Sequence, residues 1–127
     1  MKIDHIAIYA RDLEGMRNFF ETYFGARANQ LYHNPQKRFR SYFLTFEDHT
    51  RLEIMTKEDV VEQPSAIDHL GLIHFAFNLG SKEAVDVLTK RFLEDGYSVL
   101  SGPRVTGDGY YESCVLGFEN IQIELTV

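Results

Sequence analysis

With 127 residues, the chain is long enough to bury one core and too short for two independent large domains. Its formal net charge of −6 argues against a nucleic-acid partner, which would favour a basic face to replace phosphate counterions. No apolar run approaches the roughly 18 residues of a membrane helix, the N-terminus lacks the apolar core of a signal peptide, and the single cysteine, Cys114, cannot form an internal disulfide. We therefore expect a cytoplasmic protein with neither a membrane nor a nucleic-acid partner.

The chain begins with an alternating segment, Lys2–Tyr9, which predicts a β-strand. Alternation places Ile6 and Ile8 on one face of this strand and His5 and Ala7 on the other. The apolar face is the one that we expect a helix to cover. His5 therefore points away from the helix-covered side of the predicted sheet.

A helical period follows the first strand. Asp12 is the predicted N-cap of this helix, and Gly25 is a natural stop. Beyond Gly25, three short strands are expected at about Arg27–Tyr32, Phe39–Phe46 and Arg51–Thr56.

The second half of the chain repeats this order. A strand at Leu72–Leu79 precedes a helix that runs from the N-cap Ser81 to a stop at Gly96. The turn residues Gly102-Pro103 separate the next two of three further strands, which are expected at about Tyr97–Leu100, Tyr110–Leu116 and Ile121–Thr126. The predicted fold is therefore α+β, with two tandem βαβββ modules at about 1–57 and 70–127, joined by a linker at about 58–69 within one domain.

Each module carries a histidine at its first strand and a glutamate in its last. His5-Ile6-Ala7-Ile8 corresponds to His74-Phe75-Ala76-Phe77, and Leu52-Glu53-Ile54 corresponds to Ile123-Glu124-Leu125 at nearly equal spacing. Parity places the histidine and the glutamate of each module on the face away from the helix. Two neutral imidazoles and two carboxylates carry a net charge of −2, which suits a divalent cation.

A single histidine or glutamate on a strand is more often a structural or solvated residue than a metal ligand. The repetition of the pair at equivalent positions favours the metal-ligand interpretation. His33, His49 and His69 have no such counterpart, and we predict that they are surface or turn residues.

At these residues the chain resembles glyoxalase I and, more broadly, the vicinal-oxygen-chelate (glyoxalase, bleomycin resistance and dioxygenase) superfamily. His5, Glu53, His74 and Glu124 follow the ligand order of that family, and the resemblance covers the whole chain. It implies that the modules form curved mixed sheets around a metal-binding cup holding nickel, cobalt or zinc. It further implies a homodimer with shared sites, in which His5 and Glu53 come from one subunit and His74 and Glu124 from the other.

Glu53 is the detail that distinguishes among members of this superfamily. Extradiol dioxygenases and fosfomycin-resistance members typically have no carboxylate in its place, so the four-ligand set resembles glyoxalase I. The resemblance implies that Glu53 and Glu124 are the catalytic bases that convert the hemithioacetal of methylglyoxal and a low-molecular-weight thiol into a 2-hydroxyacyl thioester. The alternatives are a related metalloenzyme, such as an epimerase or ring-cleaving dioxygenase, and a small-molecule binding or resistance protein without turnover.

The sequence departs from glutathione-using members at two positions near the ligands. Those members typically have an arginine and an asparagine where this chain has Tyr9 and Lys57, which leaves the identity of the thiol open. Cationic side chains that are candidates to neutralise an anionic substrate are Arg11, Arg38, Arg40, Lys57 and Arg104.

Overall fold

The computed structural model describes residues 1–61 and 71–127. The chain divides into two compact units, Met1–Pro64 and Ser65–Val127. The first unit contains β1 (Ile6–Tyr9), α1 (Leu13–Phe24), β2 (Arg27–Ala28), β3 (Tyr32–Asn34), β4 (Phe39–Thr45) and β5 (Arg51–Thr56). The second contains β6 (Phe75–Asn78), α2 (Lys82–Glu94), β7 (Ser98–Val105), β8 (Tyr111–Leu116) and β9 (Gln122–Thr126).

The sheet of the first unit has the strand order β1-β5-β4-β2, with β3 also paired to β4. The β1–β5 pair is parallel and the other pairs are antiparallel. Helix α1 packs against β4 and β5. Its buried side chains and those of the sheet form the apolar core of this unit, which includes Leu13, Met16, Phe20, Leu44, Leu52 and Ile54.

The predicted helix caps are confirmed. The side chain of Asp12 accepts a hydrogen bond from the Gly15 backbone N–H at 2.9 Å, and Gly25 ends α1 in the left-handed conformation at φ 62°. In the second unit, the Ser81 hydroxyl accepts from the Ala84 backbone N–H at 3.1 Å. These local signals begin both helices where the sequence predicts.

The second unit has the strand order β6-β9-β8-β7, with a parallel β6–β9 pair and antiparallel neighbours. Helix α2 packs on β7, β8 and β9. The core of this unit lies between the helix and the sheet and includes Val85, Phe92, Val115, Ile123 and Leu125. Neither helix of the described chain is long and apolar enough to cross a membrane.

The prediction of one strand at Arg27–Tyr32 is wrong. Two shorter strands, β2 and β3, pair with β4 instead. Between them Asn29 takes over the pairing, because its side-chain oxygen accepts from the Phe43 N–H at 2.8 Å while its own N–H donates to the Phe43 carbonyl at 3.0 Å. A side chain thus replaces one backbone bond of the ladder and interrupts the strand.

The prediction of a turn at Gly102-Pro103 is also wrong. Both residues lie inside β7, where the pairing with β8 shifts register between Ser101 and Arg104. Gly102 has φ 79°, and an added Cβ would stand 2.4 Å from the Glu112 carbonyl oxygen. The glycine therefore marks a bulge with close backbone approach rather than the end of a strand.

Strands β1 and β6 are shorter than predicted, and both candidate histidines lie directly before them. The first ladder pairs are Ile6 with Leu52 and Phe75 with Ile123. Continued one residue upstream, the parallel register places His5 beside Arg51 and His74 beside Gln122, the first residues of β5 and β9. His5 and His74 are thus the residues at which each chain segment enters its sheet.

Candidate metal centre

The first unit brings His5 and Glu53 together. Ala7 pairs directly with Glu53 across the parallel β1–β5 ladder, so His5, two residues earlier, lies on the same face as that carboxylate. The His5 Nε2 atom is 3.8 Å from the Glu53 Oε2 atom. The Glu53 side chain is 17% exposed, so its carboxylate is largely withdrawn from water.

The second unit repeats this arrangement with His74 and Glu124. Ala76 pairs with Glu124 in the parallel β6–β9 ladder, and the His74 Nε2 atom is 3.6 Å from the Glu124 Oε2 atom. The Glu124 side chain is 22% exposed. The sequence repeat therefore corresponds to a repeated side-chain geometry.

Asp4 contacts the ring of His5 at Nδ1, the ring nitrogen that does not face Glu53. Its Oδ2 atom is 2.9 Å from the His5 Nδ1 atom, and it also forms an ion pair with Arg51. The hydrogen bond from His5 and the charge of Arg51 hold the pKa of Asp4 below its usual value, so the carboxylate is an acceptor only. In neutral His5, Nδ1 consequently carries the proton and the Nε2 lone pair is directed toward Glu53.

Phe43 forms the wall behind this pair. It lies directly opposite Glu53 in the β4–β5 ladder, and its ring meets the His5 ring edge-on at 5.1 Å and 84°. The Arg51 guanidinium is 5.0 Å from the same ring centroid. His5 is therefore held by Asp4 and Phe43 together, and sequence reasoning missed both.

In the second unit, two other side chains share the face of Glu124. Cys114 lies directly opposite Glu124, and Glu112 lies two residues earlier in β8, opposite Thr126. Burial, together with the negative charge of Glu124, raises the pKa of Glu112, while Arg104, 3.5 Å away, acts in the other direction. Burial also raises the pKa of the Cys114 thiol, which keeps it protonated at neutral pH. Sequence reasoning had not singled out Glu112, although its alternation with Cys114 places it on this face.

The residues present fit a divalent metal ion. Bonds of about 2.0–2.2 Å from nitrogen and oxygen ligands to one ion put neighbouring donor atoms roughly 3 Å apart. The His–Glu distances of 3.8 Å and 3.6 Å are slightly longer, so a small change in side-chain position would bring both donors of a pair within reach of one ion. In addition, the buried Thr126 hydroxyl, on the face of Glu124, has no hydrogen-bond partner in the described part of the chain. Within residues 1–61 and 71–127, no three His, Cys, Asp or Glu side chains cluster as a ligand group. Each unit therefore supplies two of the four candidate ligands.

The remaining histidines lie elsewhere. His33 belongs to the short strand β3 and is exposed, and His49 lies in the turn before β5 with φ 67°. Both agree with their prediction as surface or turn residues. His69 lies outside the described residues.

The candidate cations fall into two sets. Arg11, Arg38, Arg40 and Lys57 line one cavity of about 460 Å³ in the first unit. Arg104 belongs to the second unit, where it faces Glu112.

Comparison with known proteins assigns the fold and the family. The model of the Glyoxalase/Bleomycin resistance protein/Dioxygenase superfamily matches residues 2–125. An uncharacterised Bacillus subtilis (strain 168) protein, YqjT, is 31% identical over 125 residues, which cover 95% of this chain and 94% of YqjT.

Two solved structures carry the comparison further. A glyoxalase family protein from Enterococcus faecalis is 25% identical with a TM-score of 0.81, over 99% of this chain and 97% of that one. The fosfomycin resistance protein FosX from Listeria monocytogenes, complexed with Mn(II) and sulfate, is 19% identical with a TM-score of 0.72, over 99% and 91% of the two chains. Both have the α+β architecture predicted from the sequence, and at 19% identity the FosX likeness concerns the fold alone.

Proposed function

This chain belongs to the Glyoxalase/Bleomycin resistance protein/Dioxygenase superfamily, and we propose that it is a metal-dependent isomerase of the glyoxalase I type. Its substrate is the hemithioacetal of methylglyoxal and a low-molecular-weight thiol, and its product is a 2-hydroxyacyl thioester. The observation that carries this proposal is the matched pair of His–Glu contacts, His5 with Glu53 and His74 with Glu124, because it supplies one carboxylate from each unit.

The proposed metal ligands are His5, Glu53, His74 and Glu124, with nickel, cobalt or zinc as the ion. The Mn(II) present in the Listeria FosX structure supports a divalent cation in this fold. The proposed assembly is a homodimer in which His5 and Glu53 of one subunit meet His74 and Glu124 of the other. Since the described part of each unit supplies one His–Glu pair, such sharing would complete a four-ligand set.

The reaction moves one proton between adjacent carbons, and the hydroxyl proton of the sulfur-bearing carbon passes to the oxygen of its neighbour. A bound divalent cation supplies Lewis-acid stabilisation of the substrate oxyanion. A carboxylate oxygen of Glu53 or Glu124 removes the proton from the carbon that bears sulfur, and a carboxylic acid returns a proton to the neighbouring carbon. Both side chains are largely withdrawn from water, which favours proton transfer to carbon over exchange with solvent.

The test is thioester formation by metal-loaded protein from methylglyoxal and a series of low-molecular-weight thiols that includes glutathione. Glu53→Gln and Glu124→Gln keep the size of the side chain and remove the base, so we expect each to lower kcat at least ~100-fold. Glu47→Gln is the matched control, because Glu47 is exposed in the turn before β5, and its activity should equal that of the unaltered chain.

Failure to form a thioester with any thiol, in protein that holds stoichiometric metal, would overturn the isomerase proposal. Oxygen consumption with iron would then identify a ring-cleaving dioxygenase. Tight binding of a small molecule by metal-free protein would identify a binding protein.

A further inference from the structure

A basic cavity lies in the first unit. The described residues that line it include four cations, Arg11, Arg38, Arg40 and Lys57, and one carboxylate, Glu58. Four positive charges against one negative charge give this cavity a formal charge of +3, in a chain whose net charge is −6. Its volume of about 460 Å³ is within the range of small-molecule sites.

Three neighbouring strands build one wall of the cavity. His33 of β3 pairs with Arg40 of β4, and Arg40 pairs with Thr56 of β5. Directly paired residues project on the same face about 5 Å apart, so an imidazole, a guanidinium and a hydroxyl form one row. Thr56 is 7% exposed, so the row is buried at its Thr56 end.

Arg38 lines the cavity from a hydrogen-bonded turn. The turn begins where the Asn34 side chain accepts from the Lys37 N–H at 3.2 Å, and it ends where the Arg38 N–H donates to the Pro35 carbonyl at 3.2 Å. Arg38 itself has φ 49°, a left-handed conformation that costs a non-glycine residue free energy.

Neighbouring side chains contact Lys57 and Arg38, and the backbone before Arg11 is hydrogen-bonded to the sheet. The Lys57 ammonium lies 5.5 Å from the centroid of the Tyr9 ring, in cation–π contact. Arg38 forms an ion pair with Glu58. Arg11 directly follows Ala10, whose N–H extends the β1–β5 ladder by donating to the Met55 carbonyl at 2.8 Å.

We infer that this cavity is a binding site for a small molecule that carries a phosphate, a phosphonate or a pair of carboxylates. Clustered cations repel one another. A multiply charged oxyanion bound among them attracts each cation and so offsets this repulsion. Arginine side chains also match such oxyanions with two parallel hydrogen bonds each.

The cavity is separate from the His5–Glu53 pair. Lys57 shares the face of Glu53 but lies four residues beyond it, roughly 13 Å along the strand direction. Arg40 and Thr56 share the face of Tyr42 and Ile54, which is opposite to that of Glu53. Oxyanion binding is measured without metal or turnover, so its failure can be distinguished from failure of the proposed isomerase.

The experiment titrates the metal-free full chain with inorganic phosphate at constant ionic strength and follows the backbone amides by NMR. The amides of His33, Arg40 and Lys57 should shift together and saturate with one dissociation constant. Methylphosphonate and succinate, titrated in the same way, distinguish the phosphorus oxyanions from paired carboxylates.

Arg40→Gln should weaken phosphate binding at least 10-fold, because it removes the central cation of the row. Lys37→Gln is the matched control, since it removes an equal charge from the neighbouring turn outside the cavity lining, and its dissociation constant should stay within about twofold. The thermal midpoints of both variants without phosphate establish that each is folded. Equal weakening by Arg40→Gln and Lys37→Gln, or no saturating shift with any of the three anions, would overturn the inference.

Discussion

At the scale of single residues, the arrangement around His5 explains how one nitrogen is made available. Asp4 accepts the Nδ1 proton at 2.9 Å and is itself paired with Arg51, so the ring presents its Nε2 lone pair toward Glu53. Carboxylates in this position typically raise metal affinity by orienting the ligand ring. Asp4 is therefore a positioning residue for the proposed metal site.

Replacing Asp4 tests this role directly. Asp4→Ala should weaken binding of a divalent metal 10–100-fold, and Asp4→Asn, which keeps an acceptor oxygen, should lie between it and the unaltered chain. Competition with a chromophoric chelator measures the affinity, and Asp59→Asn, an exposed charge change in the segment after β5, serves as the control. Identical affinities for Asp4→Ala and the control would remove Asp4 from the site.

The four candidate ligands were predictable because each is repeated, whereas their neighbours were not. His5 and His74 open equivalent strands, and a repeat can be detected by comparing the sequence with itself. Asp4 has no equivalent, since Ile73 precedes His74, and its contact with His5 depends on rotamers. The approach of Glu112 to Glu124 depends on the β8–β9 register, which a sequence does not state.

At the scale of elements, prediction succeeded where the signal is local. Asp12 and Ser81 cap their helices through hydrogen bonds to residues three positions away, so the sequence contains both partners. It failed at Gly102, because a glycine in a turn and a glycine in a bulge have the same sequence signature. Only the partner strand β8 distinguishes them.

Gly102 provides a prediction about the stability of this element. Gly102→Ala places a Cβ 2.4 Å from the Glu112 carbonyl oxygen at φ 79°, so it should lower the free energy of unfolding by about 2–3 kcal/mol. Gly109 has φ 95° and nothing lies within 4 Å of the added Cβ. Gly109→Ala should therefore lower the free energy of unfolding only through backbone strain at positive φ, by about 1 kcal/mol. Urea denaturation of the full chain measures both, and equal losses would show that close approach to β8 adds nothing at Gly102.

At the scale of the whole molecule, the two units share the position of their His–Glu pair and differ in the residues that surround it. Both place a His–Glu pair at the parallel strand pair of a four- or five-stranded sheet. The first surrounds its pair with Asp4, Arg51 and Phe43, and the second with Glu112 and Cys114. Each unit carries two of the four candidate ligands, so the proposed four-ligand set draws on both pairs.

The proposed sharing of sites between subunits makes a numerical prediction. In a dimer formed from one Glu53→Gln chain and one Glu124→Gln chain, one shared site carries both changes and the other carries none. Random exchange of subunits makes about half of the dimers mixed, each with one intact site of two, so about a quarter of the unaltered activity should return. The assay is thioester formation after the two inactive variants are mixed, unfolded and refolded together, with native mass spectrometry to count mixed dimers. Mixed dimers without recovered activity would show that each site is built within one chain, since every chain in the mixture then carries a damaged site.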